Sequence, residues 1–481
     1  MVAYRLVANP NEMTDAHLIG DVQANGQHIP FANIVLKGTT IGTVADGTGH
    51  FQLLNLPVGT YTAVASAIGY TSQEKTFSAE RNKTQELKFV LTEDVLGLDE
   101  VVITGDRNAQ VRTEAPVIVS TISPELFATT QSVTISEGLN FCPGLRTENN
   151  CANCGFTQVR MNGMEGPYSQ ILINSRPIFS GLAGVYGLEM IPSSMVEKIE
   201  VVRGGGSALY GGNAIAGTIN LILKDPLTNS FHIGTNSSIT GVGMSGTGGN
   251  ALDHSINFDA SVVADEGRTG LVAYGFRREK EPFDANNDGF SEMTKLQNST
   301  VGTRLFHKFG VRSKVSADFF HIGEERRGGN KFDYLAHEAD IAEAVEHSIT
   351  TGAVTYEQFF RTYDIFSVFA SGQSINRDSY YGAEQSLADY GLTRDLTYNS
   401  GAQYKALLGL STITAGADYT SSHLEDTKLG YLSVAEDGSQ QHLPNTTIAN
   451  QEQSTIGAFG QYDIKWEKLK ISLGARADNY A

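Results

Sequence analysis

Apolar and polar residues alternate strictly along several stretches of the second half of the chain. Ile256-Asn-Phe258-Asp-Ala260-Ser-Val262 interleaves the two kinds without a break, and so do Lys314-Val315-Ser316-Ala317-Asp318-Phe319 and Leu469-Lys-Ile471-Ser-Leu473. A period of two marks a strand with one apolar face. From about Asn229 to Ala481 the pattern predicts about eleven strands, most of them about ten residues or longer. Ordinary strands average about five or six residues, whereas a strand needs about nine to eleven to cross a bilayer. The gaps between strands alternate in length. Short ones fall near Asp265–Gly267, Phe309–Gly310, Thr362–Asp364, Leu408–Gly409 and Glu467–Lys468. Long ones span Gly241–Asn250, Glu281–Met293, Gly323–Ala344, Ser379–Thr393 and Glu425–Glu452. Short turns at one end and long loops at the other predict a transmembrane antiparallel β-barrel, not a soluble sandwich.

The first region, about His17 to Glu93, reads as short strands broken by turns: Phe31–Lys37, Gly42–Val44, His50–Leu54, Tyr61–Ile68 and Glu86–Leu91. Gly49 and Gly59 suit turn positions, and Phe51, Leu53 and Leu56 are placed to fill a small sandwich. The middle region mixes the two periods. Ser132–Leu139 predicts a short helix capped by Ser or Thr, Pro192–Glu197 a helical turn, and Thr157–Met161, Ser169–Ile173, Lys198–Val202 and Gly217–Leu223 strands. Ahead of these lies Leu98-Asp99-Glu100-Val101-Val102-Ile103-Thr104-Gly-Asp-Arg107. Its acidic start, β-branched run and polar tail suit either a segment that adds to another sheet's edge or an ordinary edge strand. The fold class is thus mainly β: a small β-sandwich, an α/β domain, then the first half of an antiparallel barrel.

Composition narrows the function. A net charge of −18 argues against a nucleic-acid partner, because phosphate binding needs a basic surface. No run of about 18 apolar residues is present, so no transmembrane helix is predicted, and a barrel is invisible to that test. The start, MVAYRLVANPNEMTDAH, lacks a signal peptide's apolar core, which is expected if the signal has been removed. The three cysteines, Cys142, Cys151 and Cys154, lie close together. They allow at most one internal disulfide, with a metal or redox role as the alternative, and which two pair is left open. Asp284-Ala-Asn286-Asn-Asp288-Gly289-Phe-Ser-Glu292 has the first half of a calcium loop, though its Glu comes early and no helices are predicted to flank it. Calcium site and plain acidic loop both stand; no other cofactor is required. His337-Glu338 lacks the second His of a zinc motif, and neither a phosphate loop nor a G-x-S-x-G elbow occurs, so no enzyme is expected.

Two resemblances join these readings. Gly49-His-Phe-Gln-Leu-Leu-Asn-Leu-Pro57-Val-Gly59-Thr-Tyr61, followed by Gly69-Tyr70, resembles the carboxypeptidase regulatory-like domain, a sandwich without catalytic residues here. Val196-Glu-Lys-Ile-Glu-Val-Val-Arg203-Gly204-Gly205-Gly206-Ser-Ala-Leu-Tyr210-Gly-Gly-Asn-Ala214-Ile-Ala-Gly217-Thr-Ile-Asn220 resembles the plug of TonB-dependent outer-membrane receptors. Gln170-Ile-Leu-Ile-Asn-Ser-Arg176-Pro177 resembles that plug's second motif, and Leu98–Arg107 its TonB box. The resemblance divides the chain into a sandwich (17–93), a TonB-box-like segment (98–107), a plug (108–226) and barrel strands (228–481). That family's barrel has roughly twice the strands counted here, so the sequence is expected to be truncated within it, because half a barrel leaves two unpaired edges.

The resemblance implies a place in the Gram-negative outer membrane, with the N-terminal domain periplasmic and the lipid bilayer around the barrel. It implies energy-coupled uptake of a scarce extracellular ligand, a metal chelate such as a siderophore or haem, or cobalamin. The TonB–ExbB–ExbD complex would pull on Leu98–Thr104, and a surface lipoprotein is a further partner. A glycan or peptide importer of the same family is the alternative, and an adhesin without transport the second. In the plug motif, Arg176, Pro177, Arg203, Gly204, Gly205 and Gly217 are read as shaping the gate. Ligand contacts are expected in loops taken to face outward, at Asn150, Asn153, Phe156, Tyr168, Arg176, Phe179 and Tyr186, which mix aromatic, amide and guanidinium groups.

Overall fold

The computed structural model describes residues 14–481 except 31, 68–69, 94–100, 103, 105–109, 112–116, 152–155, 178–187, 189–192, 205–206, 227–228, 265–266, 361–363, 430–431, 435, 437–439, 443–445 and 467–468. Its first unit is a two-layer sandwich. In one sheet β1 (His17–Ala24) carries β2 (Gln27–His28) and pairs antiparallel with β5 (His50–Leu53) and parallel with β9 (Thr84–Val90). The other runs β4 (Gly42–Val44), β3 (Asn33–Leu36), β6 (Gly59–Ser66), β8 (Gln73–Ala79), with β7 (Tyr70–Thr71) and β10 (Thr92–Glu93) paired alongside. Phe51, Leu53 and Leu56 are buried with Leu18 and Phe89, as their spacing predicts. β1 and β8 are strands that the pattern did not predict. β8 buries only Phe77 and Ala79, too little apolar signal to stand out.

Next come two short strands, β11 (Val101–Val102) and β12 (Gln110–Val111), paired antiparallel with each other. The plug follows. Its central sheet has the order β13 (Val119–Ile122), β17 (Val196–Arg203), β18 (Gly217–Leu223), β16 (Ser169–Ile173). Beside it lie α1 (Pro124–Thr130), α2 (Ile135–Leu139) and a hairpin of β14 (Leu145–Cys151) with β15 (Phe156–Met161). Thr134 caps α2: its hydroxyl accepts from the Glu137 N–H, and Glu137 reaches back to the Thr134 N–H. The helix begins later than Ser132 because that cap sits at Thr134. β14, Leu-Arg-Thr-Glu-Asn-Asn-Cys, is almost wholly polar and exists through its pairing with β15, so periodicity could not find it.

The rest is one antiparallel sheet of eleven strands, each paired with the next. They are β19 (Ser230–Thr240), β20 (Ala251–Ala264), β21 (Thr269–Lys280), β22 (Lys295–Lys308), β23 (Ser313–Gly329), β24 (Ile341–Phe359), β25 (Ile365–Ala383), β26 (Tyr390–Leu408), β27 (Ser411–Leu429), β30 (Thr447–Trp466) and β31 (Leu469–Tyr480). A small hairpin, β28 (Leu432–Val434) with β29 (Gln440–His442), stands in the loop after β27. The alternation of short and long connections holds. Three loops are shorter than their sequence suggests, 330–340, 384–389 and 430–446, because the strands beside them run on past the apolar stretch with polar residues.

The faces of this sheet are inverted relative to a soluble one. On β20, Leu252, Ile256, Phe258 and Val262 are 43–60% exposed, while Ser255 and Ser261 are buried. Phe231, Ile233, Leu271, Val301, Leu305, Phe319, Val354 and Leu473 continue the exposed apolar face. The inner face carries Thr300, Arg304, Glu324, His347, Gln373, Asp395 and Asn399, all buried. Tyr274, Phe320, Ile322, Ile349 and Ile375 interrupt that polar lining, and they pack into the same core as plug residues Met161, Ile173 and Leu221. The sheet is therefore wrapped around the plug, with its apolar face turned outward as in a membrane barrel.

Candidate functional site: the plug and its anchors

Antiparallel pairing of β17 and β18 orients the plug. Val196 faces Leu223 at one end and Arg203 faces Gly217 at the other. The Leu223 end leads through Asp225 to the first barrel strand and lies by the short turns; the Gly217 end lies toward the long loops. Gly217 sits where Gly-rich backbone must fold back on itself. Its φ is +144°, and a Cβ there would stand 2.0 Å from the Val202 carbonyl oxygen and 2.5 Å from Met161 Sδ, so only glycine fits. Nearby, Gly204 has φ +71°, and Arg203 Nη1 donates to the Pro143 carbonyl at 3.1 Å. Gly205 lies outside the described residues.

Three residues of the predicted coupling segment, Val101, Val102 and Thr104, are described, and each is engaged by other parts of the chain. Val101–Val102 has one strand edge occupied by Gln110–Val111. Thr104 is buried in the plug sheet, where its N–H and hydroxyl both donate to Glu200 Oε2, at 2.7 and 2.6 Å. Asn220 Nδ2 donates to Thr104 Oγ1 at 2.8 Å, and Tyr210 of the Gly-rich stretch donates its hydroxyl proton to the Thr104 carbonyl at 3.1 Å. Lys198 lies 2.9 Å from the other Glu200 oxygen and balances its charge. Leu98, Asp99, Glu100 and Ile103 lie outside the described residues. The acidic and amide partners of Thr104 were not anticipated; the only local hint was a Glu and an Asn among the β-branched residues of β17 and β18.

The plug's exit is clamped to the wall. Arg304 donates to Asp225 at 2.9 Å and to Asp318 at 2.7 Å, and Lys314 donates to Asp225 at 2.7 Å. Burial pushes the Asp225 carboxyl up, but the Lys314 and Arg304 cations outweigh it and hold it far below the usual carboxylate range. A second tie joins α2 to the wall: Arg278, bidentate to Asp253, also comes within 3.5 Å of Glu137. The sandwich touches the same end. The Thr40 N–H donates to the Val311 carbonyl at 2.8 Å, and Asn33 Nδ2 donates to Glu197 Oε1 at 3.3 Å. Burial, with Asp225 nearby, raises the Glu197 carboxyl pKa.

Among the predicted ligand contacts, the described side chains of Tyr168 and Arg176 stand at opposite ends of β16. Tyr168 is 48% exposed at the long-loop end of β16. Arg176 follows the other end of that strand and turns to the wall, with its guanidinium 3.1 Å from Ser367 Oγ and 4.5 Å from the centre of the Phe369 ring. The structure thus places Arg176 at the short-turn end, not in an outward loop, because β16 carries the chain away from the long loops. Pro177 follows it, half-buried. Asn150 and Phe156 lie in β14 and β15, while Asn153, Phe179 and Tyr186 fall outside the described residues. Cys142 is a free thiol buried in the plug core, and burial pushes its pKa up. It is not half of a bridge. Cys151 ends β14, and Cys154 lies outside the described residues. In the loop after β21, carboxylate oxygens of Asp284, Asp288 and Glu292 all lie within 4.8 Å of one another. The loop also satisfies itself: Asp284 accepts from the N–H groups of Asn287 and Gly289, Glu292 from that of Ala285, and the Asn286 amide donates to Asp288.

The model of the TonB-dependent receptor plug domain matches residues 111–218, the stretch built around this sheet, and that of the CarboxypepD_reg-like domain matches residues 19–103. The chain thus carries the plug domain of a TonB-dependent receptor. Among curated relatives of this receptor, a vitamin B12 transporter BtuB of Vibrio vulnificus is 25% identical over 402 residues, covering 82% of this chain and 60% of the relative. Another BtuB, of Photobacterium profundum, is 28% identical over 247 residues, covering 49% of this chain and 37% of that protein. Among solved structures, the siderophore receptor PirA of Acinetobacter baumannii superposes with a TM-score of 0.57 at 18% identity, covering 76% of this chain and 56% of that one. Pseudomonas aeruginosa FpvA bound to heterologous pyoverdines gives 0.60 at 14%, covering 81% and 56%. At such identities these structures establish the shared fold of plug and barrel. The chain spans less than two thirds of the length of these relatives.

Proposed function

We propose that this receptor takes up a scarce metal chelate or cobalamin across the outer membrane of a Gram-negative cell, driven from the inner membrane. The observation that carries the reading is a plug tied to the polar inner face of an outwardly apolar sheet, with Thr104 held at the centre of the plug sheet by Glu200 and Asn220. Relatives named as vitamin B12 transporters and structures named as siderophore receptors support the ligand class. In this reading the short turns, the sandwich and the Leu98–Thr104 segment face the periplasm, where the TonB–ExbB–ExbD complex draws the segment out as an added strand. The long loops and Tyr168 face outward and meet the ligand, alone or with a surface lipoprotein. The chain acts by gating and carries out no bond chemistry. Uptake of labelled cobalamin and of ferric chelates by cells carrying the intact receptor tests this. Accumulation of one ligand is expected, with its loss when the proton-motive force is collapsed. Accumulation that survives collapse, or none with any chelate, overturns the reading.

The outer loop at Asp284–Glu292 extends it: Asp284, Asn286, Asp288 and Glu292 would hold a calcium ion with oxygen ligands. Calcium is then expected to raise the melting temperature of the purified receptor and to leave that of Asp288→Asn unchanged. An equal shift in both, or none in either, returns this loop to a self-satisfied acidic turn.

A further inference from the structure

Asn220 lies at the centre of β18, fully buried, and its side-chain amide is engaged from both sides. Nδ2 donates to Thr104 Oγ1 at 2.8 Å and to Ser175 Oγ at 2.9 Å, and Oδ1 accepts from the Ser175 N–H at 2.8 Å. One amide therefore joins the coupling segment to the turn after β16. In that turn Asn174 and Ser175 both have positive φ, 49° and 64°. Asparagine enters the left-handed region readily, but serine has no such preference, so the surrounding bonds must hold it there. The next residue, Arg176, is the one that reaches Ser367 and Phe369 on the wall. Both belong to β25, which runs from the short-turn end to the long-loop end.

We infer that Asn220 is a positioning residue that couples release of Thr104 to the strained Asn174–Arg176 turn, and through it to the β25 wall. When Thr104 leaves, one buried N–H of Asn220 loses its acceptor, which is costly. The amide finds a new partner by rotating. Rotation lifts Oδ1 off the Ser175 N–H and lets the turn relax, which loosens Arg176 from the wall. The coupling is reciprocal: freeing Arg176 makes Thr104 easier to withdraw. The turn and the amide form one element with two arrangements, and both ends bias it.

The inference rests on reading Leu98–Thr104 as the coupling segment, but its test uses neither partner nor ligand, so uptake and coupling can fail separately. Hydrogen exchange by mass spectrometry on the full chain in detergent reads peptides covering 98–111 and 171–178. Thr104→Val and Arg176→Ala are each expected to speed exchange in both peptides by about tenfold, the equivalent of one net hydrogen bond. The double variant is expected to fall short of the product of the single effects. In an Asn220→Leu background, Thr104→Val should no longer reach 171–178. If each single variant loosens only its own peptide and the effects multiply, Asn220 is a packing residue and the inference is wrong. Should Asn220→Leu not fold, the Thr104–Arg176 pair decides alone.

Discussion

Gly217→Val is expected to unfold the plug while leaving the barrel strands intact. The valine Cβ would stand 2.0 Å from the Val202 carbonyl and 2.5 Å from Met161 Sδ, and the φ of +144° is one that a β-branched residue does not adopt. Backbone on one side and the plug core on the other leave no room to yield. Overpacking of about 1–3 kcal/mol and backbone strain of similar size add to about 2–6 kcal/mol. The clash falls where β17 and β18 close their ladder, at Arg203 opposite Gly217. Limited proteolysis checks it: fragments of 119–223 should appear in Gly217→Val, while peptides of β20 to β27 stay protected. Gly163→Asn is the contrast. Gly163 has φ +82° with nothing within 4 Å of an added Cβ, and asparagine tolerates that conformation, so little change is expected. Full protection of β17 and β18 in Gly217→Val would show that this glycine is not needed for the gate.

The second large effect is expected at Asp225. Asp225→Ala removes the shared partner of Arg304 and Lys314; Arg304 keeps Asp318, but Lys314 is left with its charge partly enclosed. Because the Asp225 side chain is 31% exposed, about 2 kcal/mol is expected, below the about 3–5 found when a fully buried pair is broken. The pH dependence has a definite sign. The folded pKa of Asp225 is depressed, so its contribution is complete above the unfolded value of about 4 and fades as pH falls through the folded one. Hydrogen exchange around 219–226 should accelerate below about pH 4 in the native chain. Asp225→Ala should exchange fast at neutral pH and gain less on acidification. An equal acid response in both proteins would place the clamp elsewhere.

These two residues differ in how much the sequence reveals of them. Gly217 sits in a dense Gly-rich stretch between two β-branched runs, and that local pattern alone marks a tight return of the backbone. Asp225 looks like an ordinary linker residue before Pro226. Its partners lie on β22 and β23, 79 and 89 residues away, and no local signal names them. The same holds for Thr104. Its hydroxyl and carbonyl groups find Glu200, Tyr210 and Asn220, 96 to 116 residues on. A hydrogen bond between distant strands depends on register and rotamer, and neither leaves a period in the chain.

The sequence by itself determined the mainly β class, the long alternating strands, the inequality of the two sets of connections and the place of the plug. Each follows from period-two patterning or from glycine's access to backbone that other residues avoid, and both act within a few residues. Tertiary structure alone decided which face of the barrel sheet meets the plug and that Cys142 is a buried thiol. It also turned Arg176 to the wall and tied Thr104 into the plug sheet. Those outcomes depend on which distant groups meet in a buried space, where an unpaired polar atom is costly and a paired one is held in place.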